Sequence, residues 1–153
     1  MNDRPSPPPA KNERPRDRFG RPLAWGSASE MVLLDYDALP IAENHQLGLE
    51  YLAAGEFFPA HEAWESAWRQ SKGTPDEEFF KGLSQLGAGY THYQRGNPVG
   101  AVTLLTRGAG RIEGFGLEYR GVDIVRLAGI ARAAIAVLES RPDGNVVPEI
   151  PLP

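Results

Sequence analysis

FFPAHEAWESAW, from Phe57 to Trp68, is the stretch whose reading decides the fold. At about 100° per residue, Ala60, Trp64, Ala67 and Trp68 share one apolar face of a helix. His61 and Glu65 lie on the border of that face, and Glu62 sits further round toward Arg69. A helix written this way buries its tryptophans and carries ionisable groups at the edge of the core.

Working outward, the punctuation is helical. Upstream, Ile41, His45, Leu49 and Leu52 recur at helical spacing after Pro40, and Gly55 is placed to close a left-handed cap, which predicts a first helix over about 41–54. Pro59 suits the first turn of the second helix, which should run to about Gln70 before Lys72 and Gly73 stop it. Thr74 and Glu77 form a capping box around Pro75 and open a third helix reaching about Arg95. Gly96 closes it, and Asn97 with Pro98 caps and starts a fourth, striped by Ala101, Leu104, Leu105 and Ile112. Asp123 caps a last helix in which Ile124, Leu127, Ala128, Ala131, Ile135 and Leu138 repeat every three or four residues. No strand pattern competes.

A repeat underlies these helices. Gly55, Phe57, Ala60, Trp64 and Ala67 are mirrored 41 residues later by Gly96, Pro98, Ala101, Leu105 and Gly108. The expected fold is all-α, with about five helices forming two tetratricopeptide-like antiparallel hairpins and a C-terminal capping helix, the third helix stretching the usual period of about 34 residues. Small residues at the repeat positions allow close helix approach, and Trp64 and Leu105 are expected to fill the gap between hairpins. On the third helix, Phe79, Leu83, Leu86, Tyr90 and Tyr93 face the core, while Gly82, Gln85, Gly89 and His92 form a second seam beside Lys81. Glycine inside a helix costs about 0.5–1 kcal/mol against alanine, so the seam predicts another helix packed there and makes this the central helix.

Phe58, His61, Glu62, Glu65 and Trp68, then Lys81, Gly82, Leu83 and Gln85, then His92, Arg95, Gly96, Asn97, Pro98, Gly100 and Ala101 form three ordered blocks over about residues 41–113. In this the chain resembles domain of unknown function family 309. The resemblance implies a compact all-α fold and singles out His61, Glu62, Glu65, Trp68, Lys81, Gln85, His92 and Asn97. It implies no reaction.

The 153 residues, 41% hydrophobic, make one domain's worth of chain. Without cysteine there is no disulfide or thiolate chemistry, which fits a cytoplasmic home, and no apolar run suggests a membrane span. Residues 1–22 carry six basic and three acidic groups, leaving ten basic and seventeen acidic on the remainder. So acidic a body is a poor partner for nucleic acid, whose phosphates need clustered Lys and Arg. Residues 1–30, rich in Pro and Arg, are expected to be a disordered or extended tail with Phe19, Leu23 and Trp25 as contact points. The helical domain should span 31–141, and 142–153 reads as a Pro-rich C-terminal tail.

The polar residues leave three readings open. His61-Glu62 lacks the second histidine of a zinc-protease HExxH motif, yet His61, Glu65 and His92 would make a two-His, one-carboxylate set for a divalent metal, with Glu62 as base of a hydrolase-type enzyme. Alternatively His61, Glu62, Glu65, Lys81, Gln85 and His92 form a structural network, with Glu65 paired to Arg69, Asn97 a helix cap and His45 a border residue. A protein-, peptide- or small-ligand-binding module is the third, using the groove between hairpins. Asp76, Glu77 and Glu78 read as first-turn acids that complement a helix dipole.

Overall fold

The computed structural model describes residues 14–141 and 146–153. Five helices, α1 (Ile41–Ala53), α2 (Phe57–Gln70), α3 (Glu77–Gln94), α4 (Pro98–Ile112) and α5 (Ile124–Glu139), follow one another, and each packs on the next. The fold is all-α, as the periodicity predicts. Gly55 and Gly96 close α1 and α3 at φ of 73° and 74°. Asn97 caps α4 by accepting from the Gly100 amide at 3.1 Å, and Asp123 caps α5 through the Arg126 amide at 3.0 Å. Among the described residues no helix is long and apolar enough to cross a membrane.

α3 is the centre, crossed closely from both sides. A Cβ at Gly82 would lie 2.9 Å from the side chains of Arg111 and Ile112, and one at Gly89 would lie 2.8 Å from Leu105, so the glycine seam receives α4 as expected. Gly108 returns the approach, its notional Cβ 2.8 Å from the Gly82 carbonyl. On the other side Gly87 meets the backbone of His61 on α2. Phe79, Leu83, Leu86 and Tyr90 are fully buried between these layers.

Trp64 lies over Gly48 of its own hairpin, where any Cβ would overlap the indole, and Leu105 lies over Gly89 of its own, both buried in the shared core. Several expectations need correction. α3 starts at Glu77, not Thr74, because the Thr74 hydroxyl donates to the Ser71 carbonyl at 2.6 Å and Glu77 reaches back to the Gly73 amide. A small hairpin was also unforeseen. β1 (Glu118–Tyr119) pairs antiparallel with β2 (Val122–Asp123) through Arg120 and Gly121, at φ of 46° and 77°. Two-residue strands carry no alternation to read, and the left-handed pair that suits a tight hairpin is disguised by arginine in its first position.

From Arg14 the N-terminal segment is a folded arm, whereas an extended or disordered chain was expected; residues 1–13 of that expectation lie outside the described residues. The Asp17 carboxylate accepts from the amides of Phe19 and Arg21 at 2.8 and 2.9 Å, tightening a loop whose Gly20, at φ 80°, is buried against the Phe58 ring. Arg95 donates to the Phe19 carbonyl at 3.0 Å, and the guanidiniums of Arg16 and Arg95 lie 5.0 and 5.3 Å from the Phe58 centroid, within cation–π range. Trp25 stays exposed. Beyond the arm, Leu33 and Tyr36 pack with Ala63 in a small second core on α2. At the C-terminal end Ile150 is buried in the main core.

Candidate functional site

α2 and α3 run antiparallel, so His61 near the start of α2 meets Ser84 and Gly87, while Trp68 near its end meets Lys81. The missing Cβ at Gly87 lets the His61 turn settle onto α3 and brings its imidazole Nδ1 to 2.9 Å from the Ser84 carbonyl. A carbonyl oxygen can only accept, so Nδ1 carries the hydrogen. The Ser84 hydroxyl, 2.9 Å from the same nitrogen, can then donate to the His61 carbonyl at 3.3 Å. The other ring nitrogen, Nε2, faces Glu65 Oε2 at 3.4 Å.

Glu65 continues the chain of contacts. Its Oε1 lies 3.2 Å from Arg69 Nη1, and Arg69 Nη2 donates to Asp37 at 2.9 Å, where the Ser66 hydroxyl also donates at 2.7 Å. Glu62 completes a compact group: one donor atom each from His61, Glu62 and Glu65 lie within 4.8 Å of one another, all three residues half-buried. Next to it a cleft of about 160 Å³, lined in part by Tyr36, Asp37, Glu62 and Arg69, opens this acidic edge to solvent.

The electrostatics follow from these contacts. Burial works against the His61 imidazolium, but the Glu65 hydrogen bond, the Ser84 carbonyl and the charges of Glu62 and Glu65 together hold its pKa above the ordinary histidine value. The hydrogen bond from His61, working against partial burial, holds the Glu65 carboxyl below the usual carboxylate range, with the charges of His61 and Arg69 adding to it.

Of the residues singled out from sequence, His61, Glu62 and Glu65 come together and Glu65 takes Arg69 as partner. His92 does not join them. The Asn97 amide fixes its surroundings, since Asn97 Oδ1 accepts from the Gly100 amide and Nδ2 therefore donates to His92 Nδ1 at 3.0 Å. Partial burial, then the positive charges of Arg95 and His61, push the His92 pKa down. Glu62 stands in the place that the metal set His61, Glu65 and His92 gave to His92. Lys81 instead rests over Trp68, its Nζ 5.1 Å from the ring centroid. Trp68 Nε1 and Gln85 Oε1 are buried without hydrogen-bond partners.

Sequence reasoning missed Ser84, the residue that orients His61. The signal was present: Ser84 and Gly87, both small and three residues apart, mark a second helix-crossing stripe beside the glycine seam. It also missed the clamp on Asp76. That carboxylate, read as a first-turn acid, takes Arg120 at 2.6 and 2.9 Å and the Tyr119 hydroxyl.

The motif blocks can now be set against known families. Residues 45–104 match the family model for Domain of unknown function (DUF309). The family indicated by the three sequence blocks is thus the one matched, over a stretch that contains α2 and α3 whole and ends at Leu104 in α4. No curated protein and no solved structure matches the chain. The matched stretch holds His61, Glu62, Glu65, Trp68, Lys81, Ser84, Gln85 and His92, so the α2–α3 site lies within it.

Proposed function

We propose that this DUF309 domain is a small-ligand-binding module whose ligand is a divalent cation seated on His61, Glu62 and Glu65. The observation that carries the reading is the orientation of His61. With Nδ1–H given to the Ser84 carbonyl, Nε2 presents a lone pair toward a carboxylate oxygen 3.4 Å away, and two electron-rich atoms so placed call for a cation between or beside them. A backbone carbonyl behind the other nitrogen is the usual orienting partner of a metal-binding histidine. One imidazole and two carboxylates suit Zn²⁺, Mn²⁺ or Fe²⁺, and ligands beyond these three come from water or from a bound molecule. Lys81, which rests over Trp68 one helical turn beyond Glu65, supplies a cation to such a molecule.

Binding is favoured over hydrolysis by the same geometry. His92 is turned to Asn97, so Glu62 is needed as a ligand and no longer serves as the spare base that a hydrolase would require. Elemental analysis of protein purified without a nickel column tests the proposal. Zinc, manganese or iron in stoichiometric amount, lost on Glu62→Gln, is the expected result. Metal-free protein from metal-replete cells would leave the cluster as an ion-pair network in which a proton on Nε2 does the cation's work.

A further inference from the structure

The β1–β2 hairpin is tied to the helices through one histidine outside the α2–α3 site. His45 on α1 accepts the Trp64 indole N–H at Nδ1, 3.1 Å away, and donates from Nε2 to the Arg120 carbonyl at 2.9 Å. An indole N–H only donates and a carbonyl only accepts, so both ring nitrogens are committed and only the neutral Nε2–H imidazole satisfies both partners. Arg120 is held in its left-handed conformation by the two contacts of its guanidinium with Asp76, and Tyr119 binds the same carboxylate. Gly121 and Val122 of this hairpin close one side of a cleft of about 280 Å³, lined elsewhere by Leu49, Leu52 and Leu127.

We propose that the Glu118–Asp123 hairpin is an acid-released latch over this cleft, with His45 as its catch. A proton added at Nδ1 sets two N–H donors against each other across 3.1 Å; the ring must move off the indole, and the Arg120 carbonyl bound at its Nε2 is drawn out of place with it. Around the ring, α2 presents Trp64 and α3 presents Phe79 and Phe80, with centroids at 6.4, 5.9 and 5.4 Å, none of them charged. The charges that reach it are Arg120, which disfavours the imidazolium, and Asp76, which favours it. Burial is the largest influence and places His45 titration below the ordinary histidine value. The latch is therefore closed at and above neutral pH and loosens as the pH falls through that lowered value.

Amide and indole hydrogen exchange across a pH series, expressed as protection relative to unstructured peptide, tests this. The Trp64 indole and the amides of residues 118–123 are expected to lose protection together, at least tenfold by about one pH unit below the transition, while the interior amides of α2 and α3 stay protected. Hairpin protection that persists until the helices themselves open overturns the proposal. His45→Gln removes the titration, and a folded variant that keeps the parent's profile overturns it too. Should that variant fail to fold, Arg120→Gly carries the test, since glycine accepts the positive φ while the Asp76 clamp and the positive charge beside His45 are lost. Release at higher pH than in the parent is then expected, and an unchanged midpoint contradicts the latch.

Discussion

His61 and Ser84 are joined across the α2–α3 crossing by a hydrogen bond from imidazole Nδ1 to a backbone carbonyl, 2.9 Å long, which dedicates the remaining ring nitrogen to Glu65. In metal-free protein the pair Glu65–His61 has a definite pH signature. The raised His61 pKa contributes stability that is fully present below the ordinary histidine value and is lost as pH rises through the raised one. The lowered Glu65 pKa contributes stability present above the ordinary carboxylate value and lost as pH falls through the lowered one. Between those ordinary values both contributions are complete. Both side chains reach solvent, so the combined effect is about 1 kcal/mol or less. Denaturant midpoints of parent and Glu65→Gln in chelator should differ most in that interval and converge on either side. A difference that does not vary with pH would show that the pair is not coupled as described.

The glycines of α3 and α4 make a sharper prediction about packing. Gly108→Ala drives a methyl to 2.8 Å from the Gly82 carbonyl, where backbone must move, and should cost about 1–3 kcal/mol. Gly129→Ala, on α5 with nothing within 4 Å of the added carbon, should instead stabilise by about 0.5–1 kcal/mol. Equal effects in urea unfolding would mean that the α3–α4 approach is looser than described.

The arm from Arg14 is tested at Gly20. Alanine there must adopt φ of 80° and place its methyl within the Phe58 ring, so Gly20→Ala should undock the arm while the helices remain. Faster tryptic cleavage after Arg18, whose next residue is Phe19, with an unchanged helical signal is the expected pattern. Cleavage at the parent's rate would mean that the arm does not depend on this contact.

These details mark what the sequence could and could not disclose. Helix positions were legible because Gly55, Gly96, Asn97 and Asp123 act through local backbone physics, and the central place of α3 was legible because Gly82 and Gly89 have no purpose in a solvated face. The cluster was legible where its members share one helix, as His61 and Glu65 do at i and i+4. What joins elements far apart in sequence was not. Ser84 under His61, Arg120 on Asp76 and Trp64 on His45 depend on crossing angles that no spacing along one helix encodes. His92 was misplaced for the same reason: its position on α3 suits a ligand, yet Asn97, reached around the turn at Gly96, claims its nitrogen first.

The most direct measurement of the cation seat is unfolding of chelator-stripped protein with and without added Zn²⁺ or Mn²⁺, in the parent, Glu62→Gln and His92→Ala. A ligand bound only by the folded state stabilises by mass action, about 2.7 kcal/mol when free metal stands about 100-fold above its dissociation constant. The parent and His92→Ala should show such a rise, larger at higher pH because the proton on His61 competes for Nε2, and Glu62→Gln should show little or none. A parent whose midpoint is the same in metal and in chelator, or a Glu62→Gln variant that gains as much as the parent, would contradict the assignment of His61, Glu62 and Glu65 as a metal seat.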